Sequence, residues 1–337
     1  MIPNKEYITI GDNERLIETF LKEVILSPRM TMLHWSEITN QTPNLKIGYP
    51  GQHLASLILG MQGTGTGARG DDIADGTEVK SCSRVDQVDK CNNCKSNVLR
   101  IQSKCPLCGS SNIKRNNDSK WLIGIRNEKE LDLYLNKIPR MLFIISDYPY
   151  FEKNDFSIIR FSAYEIWNQS PRAKKFRTLL IDYYQNIYLA HIEKNPNQTP
   201  APKNFWPYSY QFYLCNPIKV FECTISNANT TVPKLHIDYY VEPNEDRNKL
   251  ESEVMPFSIL NKDEIKILAS NGFDFDSLKL NGVSEKEREI LPLRDTSIPV
   301  TQETIYQRRS LTKCKHLVEF VRITFLNRSI IFIVKFN

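Results

Sequence analysis

No apolar run in these 337 residues approaches the roughly 20 needed to span a bilayer, and Met1-Ile2-Pro3-Asn4-Lys5-Glu6 lacks the basic stretch and apolar core of a secretion signal. Both absences lead to the expectation of a cytoplasmic protein. Eight cysteines are too few to staple a chain of this length with disulfides. Histidine is scarce as well: His34, His53, His191, His236 and His316 are scattered, which argues against a histidine-built metal site. No internal repeat is present. With 41% hydrophobic residues the chain can still bury the core of one domain with insertions, or of two domains.

What is present is unevenly placed. Net charge is only +5, yet residues 79–126 carry ten Lys/Arg against three Asp, and residues 301–337 carry seven against two Glu. The rest is therefore net acidic, and two basic zones of this kind attract a polyanion.

Residues 13–26 set Leu16, Ile17, Phe20, Leu21 and Val24 at helical spacing, with Pro28 expected to end the helix. A second helix is predicted over 51–61. The glycine-rich run 63–70 has no apolar periodicity and reads as a loop. Asp75-Gly76 is a turn dipeptide and residues 77–82 alternate, which predicts a hairpin. Strands over 121–125, 141–146 and 156–163, with helices over 128–136 and 171–190, predict a mixed α/β fold. Proline-rich residues 195–207 read as a long loop or linker, 208–226 as strand and 262–270 as helix.

Cys91-x-x-Cys94 and Cys105-x-x-Cys108 are separated by ten residues, and Gly109 follows the second pair. Each pair forms a knuckle, and four thiolates at about 2.3 Å complete a tetrahedron around one zinc ion. With no histidine among the ligands and no open position, such a site is structural. Lys90, Lys95, Arg100, Lys104, Lys114 and Arg115 surround it; with Arg84, all but Lys104 are the candidates for phosphate contacts. Cys82 has no histidine near it in sequence and is expected to be a buried structural residue.

Residues two apart on a strand share a face, so Glu78 and Lys80 project together while Val79 enters the core. A three-residue loop at Ala74-Asp75-Gly76, with Gly76 in the left-handed position, sets Asp72 opposite Glu78. A two-residue loop at Asp75-Gly76 sets Asp71 opposite Lys80. Either aspartate then joins Glu78 and Lys80 in one site. Two carboxylates with waters suit Mg²⁺, which lowers the pKa of bound water and neutralises a scissile phosphate, while the lysine positions the attacking water.

This arrangement resembles the PD-(D/E)XK nuclease superfamily, and the string GTGTGARGDDIADGTEVKSCSRVDQVDKC resembles the MamI-like group of type II restriction endonucleases. The resemblance implies a restriction-endonuclease-like core, a mixed central sheet flanked by helices, with the four-cysteine zinc ribbon inserted at 89–117. It makes Asp72 and Glu78 the magnesium ligands, Lys80 the catalytic lysine and Gln87 a supporting polar residue. The proline of the superfamily motif is absent, since Gly70 and Asp71 precede Asp72, and the gap to Glu78 is short. Asp71, as the alternative to Asp72, and Asp75 therefore stay open. The function implied is magnesium-dependent, sequence-specific hydrolysis of double-stranded DNA by a homodimer, beside a companion DNA methyltransferase acting on the same site. A zinc-ribbon DNA-binding protein without catalysis is the alternative. The organisation expected is a nuclease core over 1–232 followed by a DNA-recognition or dimerisation region over 233–337.

Overall fold

The opening helix α1 (Asn13–Phe20) runs through wider π turns at Leu21–Leu26 into α2 (Ser27–Thr39). Pro28 therefore does not end the helix. It lies in the first turn of α2, where a proline is tolerated, and the wide turns before it absorb the missing N–H. These are features of a computed structural model that describes residues 1–44, 46–65 and 72–294.

After α3 (Gly48–Leu59) the chain enters β1 (Glu78–Ser83) and then a cysteine-bearing segment with β2 (Asp89–Cys91), β3 (Asn97–Val98) and β4 (Ile113–Lys114). It continues through β5 (Trp121–Ile123), α4 (Glu128–Asp132), β6 (Arg140–Asp147), β7 (Ile159–Trp167), α5 (Lys174–Asp182) and α6 (Leu189–Lys194). The remainder holds β8 (Lys203–Phe205), α7 (Tyr210–Leu214), β9 (Ile218–Ser226), β10 (Lys234–Tyr240) and the small helices α8 (Lys262–Ser270), α9 (Phe275–Asn281) and α10 (Glu285–Glu289).

One five-stranded mixed sheet, in the order β1-β6-β7-β9-β10, carries the fold. β1 runs parallel to β6, and the other neighbours are antiparallel. β6 is buried on both faces, which is why its sequence is a continuous apolar run rather than an alternation. Met141, Phe143 and Ile145 join Trp121, Phe176, Phe205 and Phe212 on one side. Leu142 and Ile144 join Ile17, Leu21, Leu54 and Ile58 on the other. Each large apolar side chain so buried contributes about 1.5–3 kcal/mol.

Two expectations change. Residues 210–214 are helical rather than extended: Ser209 caps α7 by accepting from Phe212 N at 3.2 Å, and the helix is buried along its length. The proline-rich stretch is no linker, because β8 within it pairs with β5. The sheet also continues past residue 232, with β10 on β9, and the first compact unit runs Met1–Leu293.

At the foot of β6 the buried Arg140 donates to Thr77 Oγ1 (2.9 Å), Glu165 Oε1 (3.0 Å) and Asp75 Oδ2 (2.6 Å), with its guanidinium 4.9 Å over the Trp167 ring. Arg247 approaches Glu165 at 3.4 Å, and Trp167 Nε1 donates to it at 2.6 Å. Burial acts to raise the Glu165 pKa, but Arg140 and Arg247 outweigh it and hold the carboxyl below its ordinary value. A depressed folded pKa means the stabilisation is present above the ordinary carboxylate range and is lost as pH falls through the folded value. Arg140→Met is expected to cost about 3–5 kcal/mol in urea unfolding at neutral pH. The gap from the parent narrows below pH about 4. Equal midpoints at neutral pH would show that the network contributes nothing net.

Candidate functional site

Of the predicted hairpin, only the turn forms. Ile73 N donates to Thr77 O (3.2 Å) around Ala74-Asp75-Gly76, and Gly76 takes a φ of 84°, open to glycine at no cost. No ladder continues from it, because the segment before the turn pairs elsewhere. Thr64 N donates to Asp72 O, Ala74 N donates to Gln62 O, and Gly63 bridges Ile73. Residues 62–64 and 72–74 thus form a short antiparallel pair of their own.

Asp72 meets β1 through its side chain. Its Oδ2 accepts from Val79 N at 2.8 Å, on the edge of β1 that no strand of the described residues covers, and its Oδ1 accepts from Gln52 Nε2 at 2.5 Å. Gln52 reaches it because α3 packs tightly on β1. A Cβ on Gly51 would stand 2.5 Å from Ser81 Oγ, so only glycine permits that approach. Glu78 and Lys80 share a face, Lys80 Nζ is hydrogen-bonded to Glu78 Oε1, and Val79 is buried. Asp72 and Glu78 are both buried, while Lys80 is only part-buried. The Asp72 carboxylate, bonded to the Val79 amide, and the carboxylate of the adjacent Glu78 are hard oxygen donors of the kind a magnesium ion takes.

Asp75 is committed elsewhere, since Oδ1 accepts from Thr77 N (3.0 Å) and Oδ2 from Arg140. Asp71 lies outside the described residues. Gln87 donates to Ser83 O (3.2 Å) and Asp118 O (2.7 Å), bracing the chain after β1. Burial pushes the Cys82 thiol up to about 12, so it is no nucleophile. Beside β1 opens a cleft of about 360 Å³ lined by Tyr49, Gln52, Lys80, Ser81, Lys120 and Leu122, among others. Sequence reasoning singled out neither Gln52 nor Lys120. One lies twenty positions before Asp72, the other beyond the cysteine segment, and neither belongs to a motif.

The four cysteines come together in the segment that follows. Their sulfurs all lie within 4.8 Å of one another, with Cys91–Cys108 at 3.6 Å and Cys94–Cys105 at 3.5 Å. Disulfide sulfurs would stand about 2 Å apart. A tetrahedron with metal–sulfur bonds of about 2.3 Å has edges of about 3.8 Å, so this set fits one thiophilic ion. Each knuckle turns by a left-handed residue just after its second cysteine, Lys95 (φ 62°) and Gly109 (φ 72°). Hydrogen bonds led by the Ser96 hydroxyl bring the Cys105 thiol down to about 6 and lower that of Cys94 too.

The basic residues of the segment divide. Lys90, Lys95 and Lys114 are exposed. Arg84 is half-buried, with its guanidinium 5.6 Å from the Tyr208 ring centre. Arg100 is fully buried and paired with Asp89 (2.9 Å), and Arg115 also pairs with Asp89 (2.8 Å). Arg100 is thus turned away from any phosphate outside.

A sequence profile of the MamI restriction endonuclease family matches residues 34–258, well over half of the chain. The chain belongs to this family. The matched span takes in α3, the turn, β1, the four cysteines and the whole five-stranded sheet. Over 75 residues the chain is 35% identical to the type II restriction enzyme MamI of Microbacterium ammoniaphilum, a stretch that makes up 22% of this chain and 24% of that enzyme. No solved structure matches. Metal analysis of the purified protein is expected to find one equivalent of a thiophilic divalent ion per chain. The double variant Cys91→Ser/Cys105→Ser should lose it, and a folded parent protein without that ion would refute the cysteine site.

Proposed function

We propose that the protein is a type II restriction endonuclease with a PD-(D/E)XK core, hydrolysing phosphodiesters of double-stranded DNA at a specific sequence in the presence of Mg²⁺. The observations that support this reading are the bond from the Val79 amide to Asp72 and the bond between Val79's neighbours Lys80 and Glu78, all inside the span matched by a restriction endonuclease family. Asp72 and Glu78 are the residues that would hold the magnesium ion. When bound, the ion lowers the pKa of water and neutralises charge on the phosphate. Gln52 and the Val79 amide fix the Asp72 carboxylate, and Glu78 holds the Lys80 ammonium at the edge of the cleft. From there Lys80 orients the attacking water and supports the charge that develops on the phosphate.

The ion at the four cysteines is read as zinc in a structural role, since no ligand position is left for substrate. Lys90, Lys95 and Lys114 face outward from it and are assigned to DNA phosphates, with Arg84 beside them. One such site cuts one strand, so a homodimer with two-fold symmetry is the assembly that cuts both strands of a palindrome. A companion methyltransferase acting on the same sequence completes this reading. Among the described residues no helix is long and apolar enough to cross a membrane.

Glu78→Ala and Lys80→Ala are expected to abolish cleavage of plasmid DNA in Mg²⁺ while DNA binding persists in a gel shift. Asp72→Asn should lower cleavage by several orders of magnitude, because water activation by the ion is a large part of such catalysis. Near-normal turnover in Glu78→Ala or Lys80→Ala ends the nuclease assignment. A parent protein that shifts DNA but never cuts it would favour a binding function alone.

A further inference from the structure

We infer that Lys120 binds a phosphate of the DNA backbone in the cleft beside Lys80, with the indole of Trp206 aiming its ammonium group. This rests on the reading of the cleft as the place where DNA is cut. The cleft is open to solvent, and among the described residues its lining includes two lysines and no carboxylate. The two lysines are differently placed. Lys80 is joined to Glu78, whereas Lys120 approaches a carboxylate only at 3.9 Å, on Asp118, whose side chain is 58% exposed. A loose, solvated pair of that kind is worth at most about 1 kcal/mol, so it yields readily to a phosphate.

The Lys120 ammonium stands 4.4 Å from the centre of the Trp206 ring. Attraction to an aromatic face holds a cation without neutralising it. The side chain is thereby confined while its charge remains available. Lys120 leads directly into β5, whose pairing with β8 places Trp206 immediately after that short ladder. Two strands far apart in sequence therefore bring the ammonium on the cleft wall together with its aromatic support. Tyr49, 73% exposed on the same cleft, adds an aromatic surface suited to a sugar or a base. A phosphodiester backbone is the ligand that matches cations, aromatic faces and absent carboxylates together.

Fluorescence anisotropy of the full-length protein with a random-sequence duplex, in metal-free buffer over a range of salt, tests this without knowledge of the recognition site. Lys120→Ala should weaken binding about five- to tenfold at about 0.1 M salt and reduce the slope of log K against log salt by about 1. Lys120→Arg, which keeps the charge, should restore the slope, and Trp206→Ala should weaken binding by a smaller factor. An unchanged slope in Lys120→Ala overturns the assignment. A loss that Lys120→Arg does not restore overturns it too, since that would mark a structural disturbance. Cleavage by Glu78→Ala reads the underlying assignment separately: normal cutting there removes the nuclease reading. An inactive Glu78→Ala with an unaltered Lys120→Ala slope removes only the role of Lys120.

Discussion

An arginine without water must find its partners inside the protein, and Arg140 finds them on separate stretches of chain: Thr77 and Asp75 on the turn, and Glu165 on β7. Because Arg140 is also the first residue of β6, those bonds tie the turn before β1 to the middle of the sheet. The parallel register that follows sets Glu78 beside Met141 and Lys80 beside Phe143. Arg247, from beyond β10, closes the same network on Glu165. The position of the candidate site thus depends on a buried charge cluster that itself takes no part in binding a metal.

A second buried cluster does the same for the cysteine segment. Asp89, at the start of β2, sits between Arg100 and Arg115, and the Arg100 guanidinium lies 5.0 Å from the Phe151 ring centre and 5.1 Å from that of Phe156. A few residues earlier Asp86 takes Arg29 (2.6 Å) and the Tyr148 hydroxyl (2.9 Å). The chain leaving β1 is therefore clamped twice before it reaches the first cysteine. The ribbon is built into the core, with arginines facing inward to hold it and lysines facing outward.

β1 is an edge strand, and the consequences for chemistry are direct. An edge leaves main-chain groups unpaired, and here one of them, the Val79 amide, is used to hold the Asp72 carboxylate. The same strand borders the cleft, where Lys80 and Lys120 stand on the walls and Gln52, on the lining, is bonded to the Asp72 carboxylate. The six-residue strand lies inside the span matched by the restriction endonuclease family.

What the sequence by itself determined is local. The Cys-x-x-Cys spacing specified a four-sulfur cluster, since each knuckle needs only a few residues and one left-handed turn residue. The Glu78-Val79-Lys80 alternation specified which side chains share a face, and Gly76 specified the turn. Tertiary structure decided the rest. The helix at 210–214 and the pairing of β8 with β5 each follow from burial that no local pattern reveals, and the wide turns that carry the helix past Pro28 are no more visible there. Nor could charge counting separate Lys90 or Lys114 from Arg100, because a guanidinium that pairs with a buried aspartate looks, in sequence, like one that faces solvent. Gln52 on Asp72 and Lys120 over Trp206 are contacts between residues far apart in the chain. They exist because α3 can rest on β1 at Gly51 and because two short strands meet, conditions that only the packed molecule sets.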